Sequence, residues 1–226
     1  MRIAICYVFP NTADAQRTEQ AARFVSSYNA HGPGMDHLSI VVLNGTSGGG
    51  SGFAQALFAS LPNLQVLQHD NSGWDIGAFQ MAARSVPCDL MVFFGATAWF
   101  PKAGWLTRVY QASSLRGLGL FGCHGNQGDG KVAVWPHVRT TGFWLNPSLM
   151  NRYPMKVTEP HQRYPFEHGP QCLSNWIKGE GMGVWVVGWD GEYAVDVCDG
   201  MPNGFHRGDQ SNLLFMDRLT MPPYYG

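Results

Sequence analysis

Asn63 to Phe79 read NLQVLQHDNSGWDIGAF, and this stretch passes from an apolar strand through a polar turn into a helix. We predict the strand over residues 63–68 and the helix over residues 76–85. Two carboxylates, an amide and two glycines stand in or near the turn, namely Asp70, Asn71, Gly73, Asp75 and Gly77. In open α/β sheets, ligands bind beyond the carboxyl ends of the strands, and this turn would lie there.

The same alternation of strand and helix extends over the first half of the chain. Further strands are predicted over residues 2–9, 38–43 and 89–94, and further helices over residues 17–30, 53–61 and 105–114. Continuous apolar strands with helices between them indicate a mostly parallel sheet covered on both faces. The candidate site loops are then residues 10–16, 44–52, 69–75 and 95–101.

The second half of the chain is less regular. Strands are predicted over residues 118–123, 132–138, 140–145, 184–189 and 193–197, the last two joined by the hairpin signal Asp190-Gly191. Pro170 is expected to open a helix that ends near residues 179–181, because proline suits the first helical turn. Neither a repeat nor a linker interrupts the sequence, which favours one domain over residues 1–226.

Composition excludes some classes of function. Net charge is -1 with no basic stripe, which argues against nucleic acid as the main partner. Five scattered cysteines indicate buried thiols in a reducing compartment. The apolar run at the start is short for a signal peptide, and no apolar stretch is long enough for a transmembrane segment. We expect a cytoplasmic protein, at most peripheral to the inner face of a membrane.

Two features of the loops have alternative interpretations. The glycine-rich residues 45–52 follow a strand and precede a helix, which suits phosphate binding, but they lack the spacing and lysine of a P-loop. A flexible connector is the better interpretation. Asp75 could simply cap a helix, because its oxygen can accept from a free backbone N–H. Gly73 and Gly77 would let a ligand come close to the backbone.

The pattern Asp-Asn-x-Gly-x-Asp-x-Gly-Ala at residues 70–78 resembles the segment after the third strand in bacterial glycosyltransferases of the GT-A fold, nearest to the rhamnan-synthesis branch near family 2. Residues 136–143, 166–169 and 204–212 resemble later segments of that family, in the expected order. The resemblance implies a single α/β, GT-A-like (Rossmann-like) domain. Residues 1–115 would bind the nucleotide sugar, and residues 116–226 would hold the acceptor and the catalytic group.

The resemblance also implies roles for particular residues. Glu167 would be the catalytic base that deprotonates the acceptor hydroxyl, although an acid favoured at a helix N-terminus is an alternative explanation. His206 and Asp209 would contact a divalent metal, Mn²⁺ or Mg²⁺. The residues expected to bind substrate are Pro10, Asn11, Asp70, Asn71, Gly73, Asp75, Gly77, Thr97, His137, Arg139 and Arg207.

One departure from the family pattern concerns the metal. Enzymes of this fold usually carry an acidic pair after the fourth strand, but residues 93–99 read FFGATAW. Other carboxylates could hold the ion, namely Asp70, Asp75 or Asp209 with His206. Alternatively, cations such as Arg207, Arg139 or Lys102 could neutralise the leaving diphosphate directly, or the protein could bind a ligand without turning it over.

Three functions follow from these alternatives. The first is an inverting glycosyltransferase that uses a nucleotide-sugar donor and a glycan or lipid-linked glycan acceptor. The second is a catalytically inactive nucleotide-sugar- or glycan-binding module on the same fold. The third is a nucleotidyltransferase, which ranks last because residues 11–16 do not form the glycine-rich, basic loop that such enzymes carry after the first strand.

Overall fold

The computed structural model describes residues 1–11, 14–45, 50–127 and 135–220. Its first half contains four parallel strands, each followed by a helix. The apolar runs form the strands because a strand covered on both faces needs apolar side chains on both. The strands are β1 (Ile3–Pro10), β2 (Leu38–Asn44), β3 (Leu64–His69) and β4 (Leu90–Phe94), and the helices are α1 (Ala15–Ala30), α2 (Gly50–Leu57), α3 (Trp74–Ser85) and α4 (Trp105–Arg116).

The second half adds short strands and short helices. The strands are β5 (Gly119–Gly122), β6 (Gly125–Asn126), β7 (His137–Val138), β8 (Gly142–Leu145), β9 (Gly183–Val187) and β10 (Glu192–Ala194), and the helices are α5 (Pro147–Arg152), α6 (Arg163–Glu167) and α7 (Leu173–Gly179). Three 3-10 helices lie at Pro160–Gln162, Val195–Gly200 and Arg218–Thr220.

Strands from both halves join in one eight-stranded sheet of order β10-β9-β5-β8-β4-β1-β2-β3. β1 pairs in parallel with both β2 and β4, whereas β8 runs antiparallel between β4 and β5. The predicted α/β class with a mostly parallel central sheet flanked by helices is confirmed. The register of β4 with β8 brings Phe94 opposite Gly142, so the loop after β4 lies beside the start of β8.

Two local predictions differ from the structure. The helix expected to open at Pro170 begins at Leu173, because the preceding residues form a turn in which the Cys172 N–H donates to the Gly169 carbonyl. The strand expected over residues 193–197 ends at Ala194 and continues as a 3-10 helix. The predicted strand over residues 132–138 is described only at His137–Val138, since residues 132–134 lie outside the described residues, as do residues 46–49 of the glycine-rich loop.

A dense aromatic core supports the edge of the sheet that carries the site. Phe94 at the end of β4 contacts the rings of Phe100, Trp105 and Phe215, all fully buried or nearly so. The five cysteines are free thiols, four of them buried. Among the described residues, no helix is both long and apolar enough to span a bilayer.

Candidate functional site

A cavity of about 640 Å³ opens at the carboxyl ends of the parallel strands. Pro10 of β1 and Asn44 of β2 line one side, and residues 95–97, after β4, line another. This is the edge at which ligands bind in α/β sheets. Six residues that the sequence predicts for the site lie in the cavity wall: Pro10, Asn71, Asp75, Thr97, Arg139 and Glu167.

The turn between β3 and α3 uses three left-handed backbone conformations. Asn71, Gly73 and Trp74 have φ angles of 72°, 68° and 56°. The Trp74 N–H donates to the Asn71 carbonyl at 3.1 Å, and the Ser72 N–H donates to Asp70 Oδ1 at 2.9 Å. The result is that Asn71 and Trp74 line the cavity, whereas Asp70, whose side chain is 76% exposed, faces solvent.

Gly73 and Gly77 meet the chain's own backbone. A β-carbon on either glycine would collide with a backbone oxygen: that of Val157 at Gly73 and that of Ser72 at Gly77. The sequence predicts that something comes close to the backbone at these two glycines. In the structure, the segment before Thr158 does so, because it packs on the start of α3.

Asn11 supports the cavity from behind its wall. It is 3% exposed, its backbone N–H donates to the Asn44 carbonyl at 2.9 Å, and its side-chain amide donates to the Gly45 carbonyl at 3.0 Å. These bonds join the loop after β1 to the loop after β2. The predicted substrate residue Asn11 thus holds two loops of the site in register.

Asp75 lies half-buried in the first turn of α3, where Gly73 and not Asp75 is the capping residue. Burial raises the pKa of the Asp75 carboxyl above its usual value, the Arg163 guanidinium opposes that rise, and the charge of Glu167 adds to it. Asp75 therefore lies close enough to both Arg163 and Glu167 for each of their charges to affect it.

Glu167 is the last residue of α6 and lies in the cavity wall. The alternative explanation, that an acidic residue is favoured here by a helix N-terminus, does not apply. Glu167 lies at a helix C-terminus, where the helix dipole disfavours a carboxylate. The Thr140 hydroxyl donates to Glu167 Oε2 at 2.6 Å. That bond fixes the carboxylate and leaves Oε1 as a second acceptor.

His137 belongs to β7, is wholly buried, and lies close to Glu167. One ligand atom each from His137, Glu167 and His168 lies within 4.8 Å of the other two. The His137 and His168 rings meet edge to face, with centroids 4.5 Å apart. The structure therefore places the predicted residues Glu167 and His137 together, and adds His168, which the sequence analysis did not single out.

Arg139, in the cavity wall, is linked to His206 through the ring of Phe205. The Arg139 guanidinium lies over the Phe205 ring at 5.2 Å, and the Phe205 ring packs against His206 with centroids 3.9 Å apart. Burial and the Arg139 charge lower the pKa of His206, and Asp217 opposes them. His206 therefore lies close enough to Asp217 to interact with it electrostatically.

Arg207 and Asp209, both predicted for the site, are not among the residues of the cavity wall. Arg207 forms an ion pair with Asp199 at 3.4 Å, and both side chains are about half exposed. The Asp209 carboxylate accepts from the Ser211 N–H at 2.9 Å in a surface turn. Hydrogen bonds from the side chain and then the backbone N–H of Ser211 lower the pKa of Asp209.

Asp217 is the carboxylate that the sequence analysis missed. It is 1% exposed, and it lines the cavity. Its Oδ1 accepts from the N–H groups of Leu219 and Thr220, whereas its Oδ2 has no hydrogen-bond partner among the described residues. Because Met216 pairs with Trp99 as an isolated bridge, Asp217 reaches the loop after β4, where the sequence offers no acid.

Cationic and aromatic side chains complete the wall. The sequence analysis did not single out Trp74, Tyr164 or the arginines Arg17, Arg163 and Arg218, all of which line the cavity. The Arg163 guanidinium lies over the Trp74 ring at 4.9 Å. Together with Arg139, four guanidinium groups face three carboxylates, those of Asp75, Glu167 and Asp217. The cavity can therefore bind an anionic ligand and still present an acid or base to it.

No family model and no curated protein matches this chain. Among solved structures, it is similar to the mannosyltransferase PcManGT from Pyrobaculum calidifontis in complex with GDP-Man and Mn²⁺, at 14% identity and a TM-score of 0.51, over 71% of this chain and 50% of that one. It is also similar to S. aureus TarS 1–349 in complex with UDP-GlcNAc, at 14% identity and a TM-score of 0.48, over 67% and 47% of the two chains.

A putative glucose-1-phosphate thymidylyltransferase from Bacillus anthracis aligns at 11% identity and a TM-score of 0.49, over 80% of this chain and 85% of that one. The chain spans about half the length of the two glycosyltransferase chains that it matches. At 14% identity, the likeness to the mannosyltransferase shows the fold alone. The chain has an α/β fold with a mostly parallel eight-stranded sheet, similar to that of glycosyltransferases with GT-A-like folds.

Proposed function

We propose that this protein is an inverting glycosyltransferase that moves a sugar from a nucleotide-sugar donor to a hydroxyl of a glycan or lipid-linked glycan. The observation that carries the proposal is the position of Glu167, fixed by Thr140 in the wall of a cavity that also presents several arginines. An acceptor hydroxyl needs a base in line behind it, and a diphosphate needs cations. One cavity offers both.

The donor would occupy the side of the cavity formed by the strand ends. Pro10, Asn44 and Arg17 border the space for the nucleoside, and Asp75 and Asn71 border the space for the sugar. Guanidinium groups pair with phosphate oxygens through parallel hydrogen bonds. Donor complexes of the similar mannosyltransferase and of TarS, with GDP-Man and UDP-GlcNAc, support a nucleotide sugar as the ligand class.

Glu167 would act as the general base. Its Oε2 is held by the Thr140 hydroxyl, so Oε1 remains to accept the proton of the acceptor hydroxyl as that oxygen attacks the sugar. The bond between sugar and diphosphate breaks on the opposite face, and the nucleoside diphosphate leaves. Thr140 is a positioning residue in this scheme.

The acceptor would bind near two exposed aromatic rings of the cavity. Trp74 is 43% exposed and Tyr164 is 67% exposed, and large exposed apolar groups are typical of binding surfaces. The apolar face of a sugar ring stacks on such side chains. This supports a glycan as the acceptor, as the resemblance to the rhamnan-synthesis branch also implies.

The residues present fit a divalent ion at the diphosphate. Mg²⁺ is commonly held by one or two carboxylates together with substrate phosphates, and Asp217 offers a buried oxygen that has no partner among the described residues. Asp217 would hold the ion, with His206 near it, and the ion would neutralise charge on the leaving diphosphate. Asp209, bound in its surface turn, would not contribute in this arrangement.

A catalytically inactive binding module is the second candidate. The absence of a carboxylate in residues 95–99 favours it, because that loop carries the metal-binding acids in the family that the sequence resembles. Such a module would bind nucleotide sugars in the same cavity without releasing the nucleoside diphosphate.

Incubation with a panel of nucleotide sugars and glycan acceptors tests both candidates. We expect release of nucleoside diphosphate with at least one donor, and a loss of roughly 100-fold or more in the transfer rate for Glu167→Gln, the usual contribution of a general base. Donor affinity of that variant, measured by calorimetry, should stay close to wild type.

Glu180→Gln is the matched control, since Glu180 lies beyond α7 and pairs with Arg152 instead of facing the cavity. It should keep full activity. Binding of donors without turnover of any of them would favour the inactive module. Wild-type turnover by Glu167→Gln would remove Glu167 from its role.

A further inference from the structure

The cluster of His137, Glu167 and His168 has a feature that donor transfer does not explain. His137 Nε2 is buried and has no hydrogen-bond partner among the described residues. Leaving a buried polar atom without a hydrogen bond is unfavourable, and such atoms are rare in folded proteins. The atom therefore points to something that binds there.

The tautomer of His137 is determined by its other ring nitrogen. Nδ1 lies 2.7 Å from the Trp135 carbonyl oxygen, and a carbonyl can only accept, so Nδ1 carries the hydrogen. Burial disfavours the charged imidazolium form of His137 and so lowers its pKa. Nε2 then presents a lone pair. Histidines that bind metals commonly donate their second N–H to a backbone carbonyl in this way.

The neighbours of that lone pair are also electron-pair donors. A Glu167 carboxylate oxygen, a His168 ring nitrogen and a His137 ring nitrogen lie within 4.8 Å of one another. A carboxylate and an unprotonated nitrogen have no hydrogen between them to share, whereas a cation placed between them attracts both. Two imidazoles and one carboxylate are the ligand set of several catalytic zinc sites, whereas Mg²⁺ prefers oxygen alone.

We propose that His137, Glu167 and His168 bind a divalent transition-metal ion of the zinc class, at a position different from that of the diphosphate metal. Ligand atoms around tetrahedral zinc lie about 3.4 Å apart, so the side chains need to close by roughly 1 Å. His168 is half-buried at the cavity wall and can make that adjustment.

Occupancy of this site has a consequence that rests on the proposed function. A metal ion on Glu167 engages the carboxylate that would otherwise accept the proton of the acceptor hydroxyl. Saturating zinc should therefore inhibit transfer by roughly 100-fold, the contribution of the base it removes. Removal of the zinc with a chelator, followed by re-addition of Mn²⁺, should restore the rate.

The binding experiment needs neither donor nor acceptor. Purified protein freed of metal with a chelator is titrated with zinc sulfate by calorimetry. We expect one ion per chain, affinity about 100-fold lower in His168→Asn, and unchanged affinity in His161→Asn. His161 is the matched control because it is exposed and lies on the preceding 3-10 helix. His168→Asn is preferred to a His137 variant, since His137 is wholly buried.

Cobalt distinguishes this site from a cysteine site. Co²⁺ bound by the cluster should give visible absorption without the near-ultraviolet charge-transfer band of a thiolate ligand, and magnesium should not displace it. A thiolate band, or zinc affinity unchanged in His168→Asn, would overturn the proposal.

The two proposals can fail separately. Turnover of a nucleotide sugar together with no zinc binding would overturn the metal site alone. Zinc binding that depends on His168 but leaves transfer untouched would support the metal site and overturn the link to Glu167 as the base.

Discussion

Asp217 reaches the cavity with one carboxylate oxygen bound to backbone N–H groups and the other without a partner among the described residues. At the scale of single residues, this atom matters most for the metal question. The arginines of the cavity offer a metal-free alternative for neutralising the diphosphate. The two arrangements predict different responses to metal removal.

Asp217→Asn should lower the affinity for a nucleoside diphosphate in the presence of Mn²⁺ by about tenfold, and EDTA should then have little further effect. The isosteric amide keeps an acceptor for the Leu219 and Thr220 N–H groups, so the fold should persist. Calorimetric titration with and without Mn²⁺ measures both effects.

Asp209→Asn is the control for this prediction, because Asp209 lies in a surface turn bonded to Ser211. It should bind as wild type does. Loss of Mn²⁺-dependent affinity in Asp209→Asn, with Asp217→Asn unaffected, would instead favour the metal assignment that the sequence suggests.

Asp217 could not be found from the sequence, for a physical reason. Its approach to the loop after β4 depends on a bridge between Met216 and Trp99, and nothing local to residues 215–220 encodes that pairing. Asn71, Asp75 and Thr97 were predictable because each lies within a few residues of the end of a strand, and parallel strands bring their carboxyl ends to one edge. Their roles in binding stay predictions.

At the scale of elements, the close contact between α3 and the chain around Val157 should contribute to the free energy of unfolding. Gly77 lies in α3, and a β-carbon added to it would collide with the carbonyl oxygen of Ser72. The same β-carbon would lie 3.0 Å from the carbonyl oxygen of Val157. Neither is a flexible side chain, so an added methyl group must displace backbone.

Gly77→Ala should therefore lower the free energy of unfolding by about 1–3 kcal/mol, the usual cost of overpacking. Gly179→Ala is the matched control: Gly179 ends α7 and has nothing within 4 Å of an added β-carbon. That change should be neutral or stabilising by up to about 1 kcal/mol. Urea unfolding of both variants measures the difference. Equal stability of the two would contradict the proposed backbone contact.

The elements themselves were predictable to different degrees. β1, β2 and β4 are continuous apolar runs such as IAICYVF, and the length of each run and the residues that flank it locate the strand to within a residue or two. The start of α7 was not predictable, because the side chain of Asn175 and the N–H of Cys172 both donate to the Gly169 carbonyl and hold Pro170 in a turn. Such contacts override the local preference of proline for a first helical turn.

At the scale of the whole molecule, histidine burial should make stability depend on pH. Burial lowers the pKa of His124 to about 4, with Asp217 opposing and Arg139 reinforcing that shift. Burial also lowers the pKa values of four other histidines, His37, His69, His137 and His206. An unfolded histidine has a pKa of about 6.5.

As pH falls below about 6.5, the unfolded chain takes up protons while folded His124 stays neutral until about pH 4. The free energy of unfolding should therefore decrease across that window, by about 2 kcal/mol from His124 alone at about pH 5. Urea unfolding at about pH 7 and about pH 5 should show the loss, and His124→Gln should reduce it by that amount. If the free energy of unfolding of His124→Gln decreases with pH as much as that of wild type, groups other than His124 cause the decrease.

The bridge between Trp99 and Met216 should also couple the rates of hydrogen exchange at backbone amides in two segments that are distant in sequence. Each residue's N–H donates to the other's carbonyl at 2.9 Å. Deuterium uptake at these two amides requires the same opening event, so their protection factors should match. A ligand that slows exchange after β4 should slow it around residue 216 by the same factor, and mass spectrometry would register the two peptides as one cooperative unit.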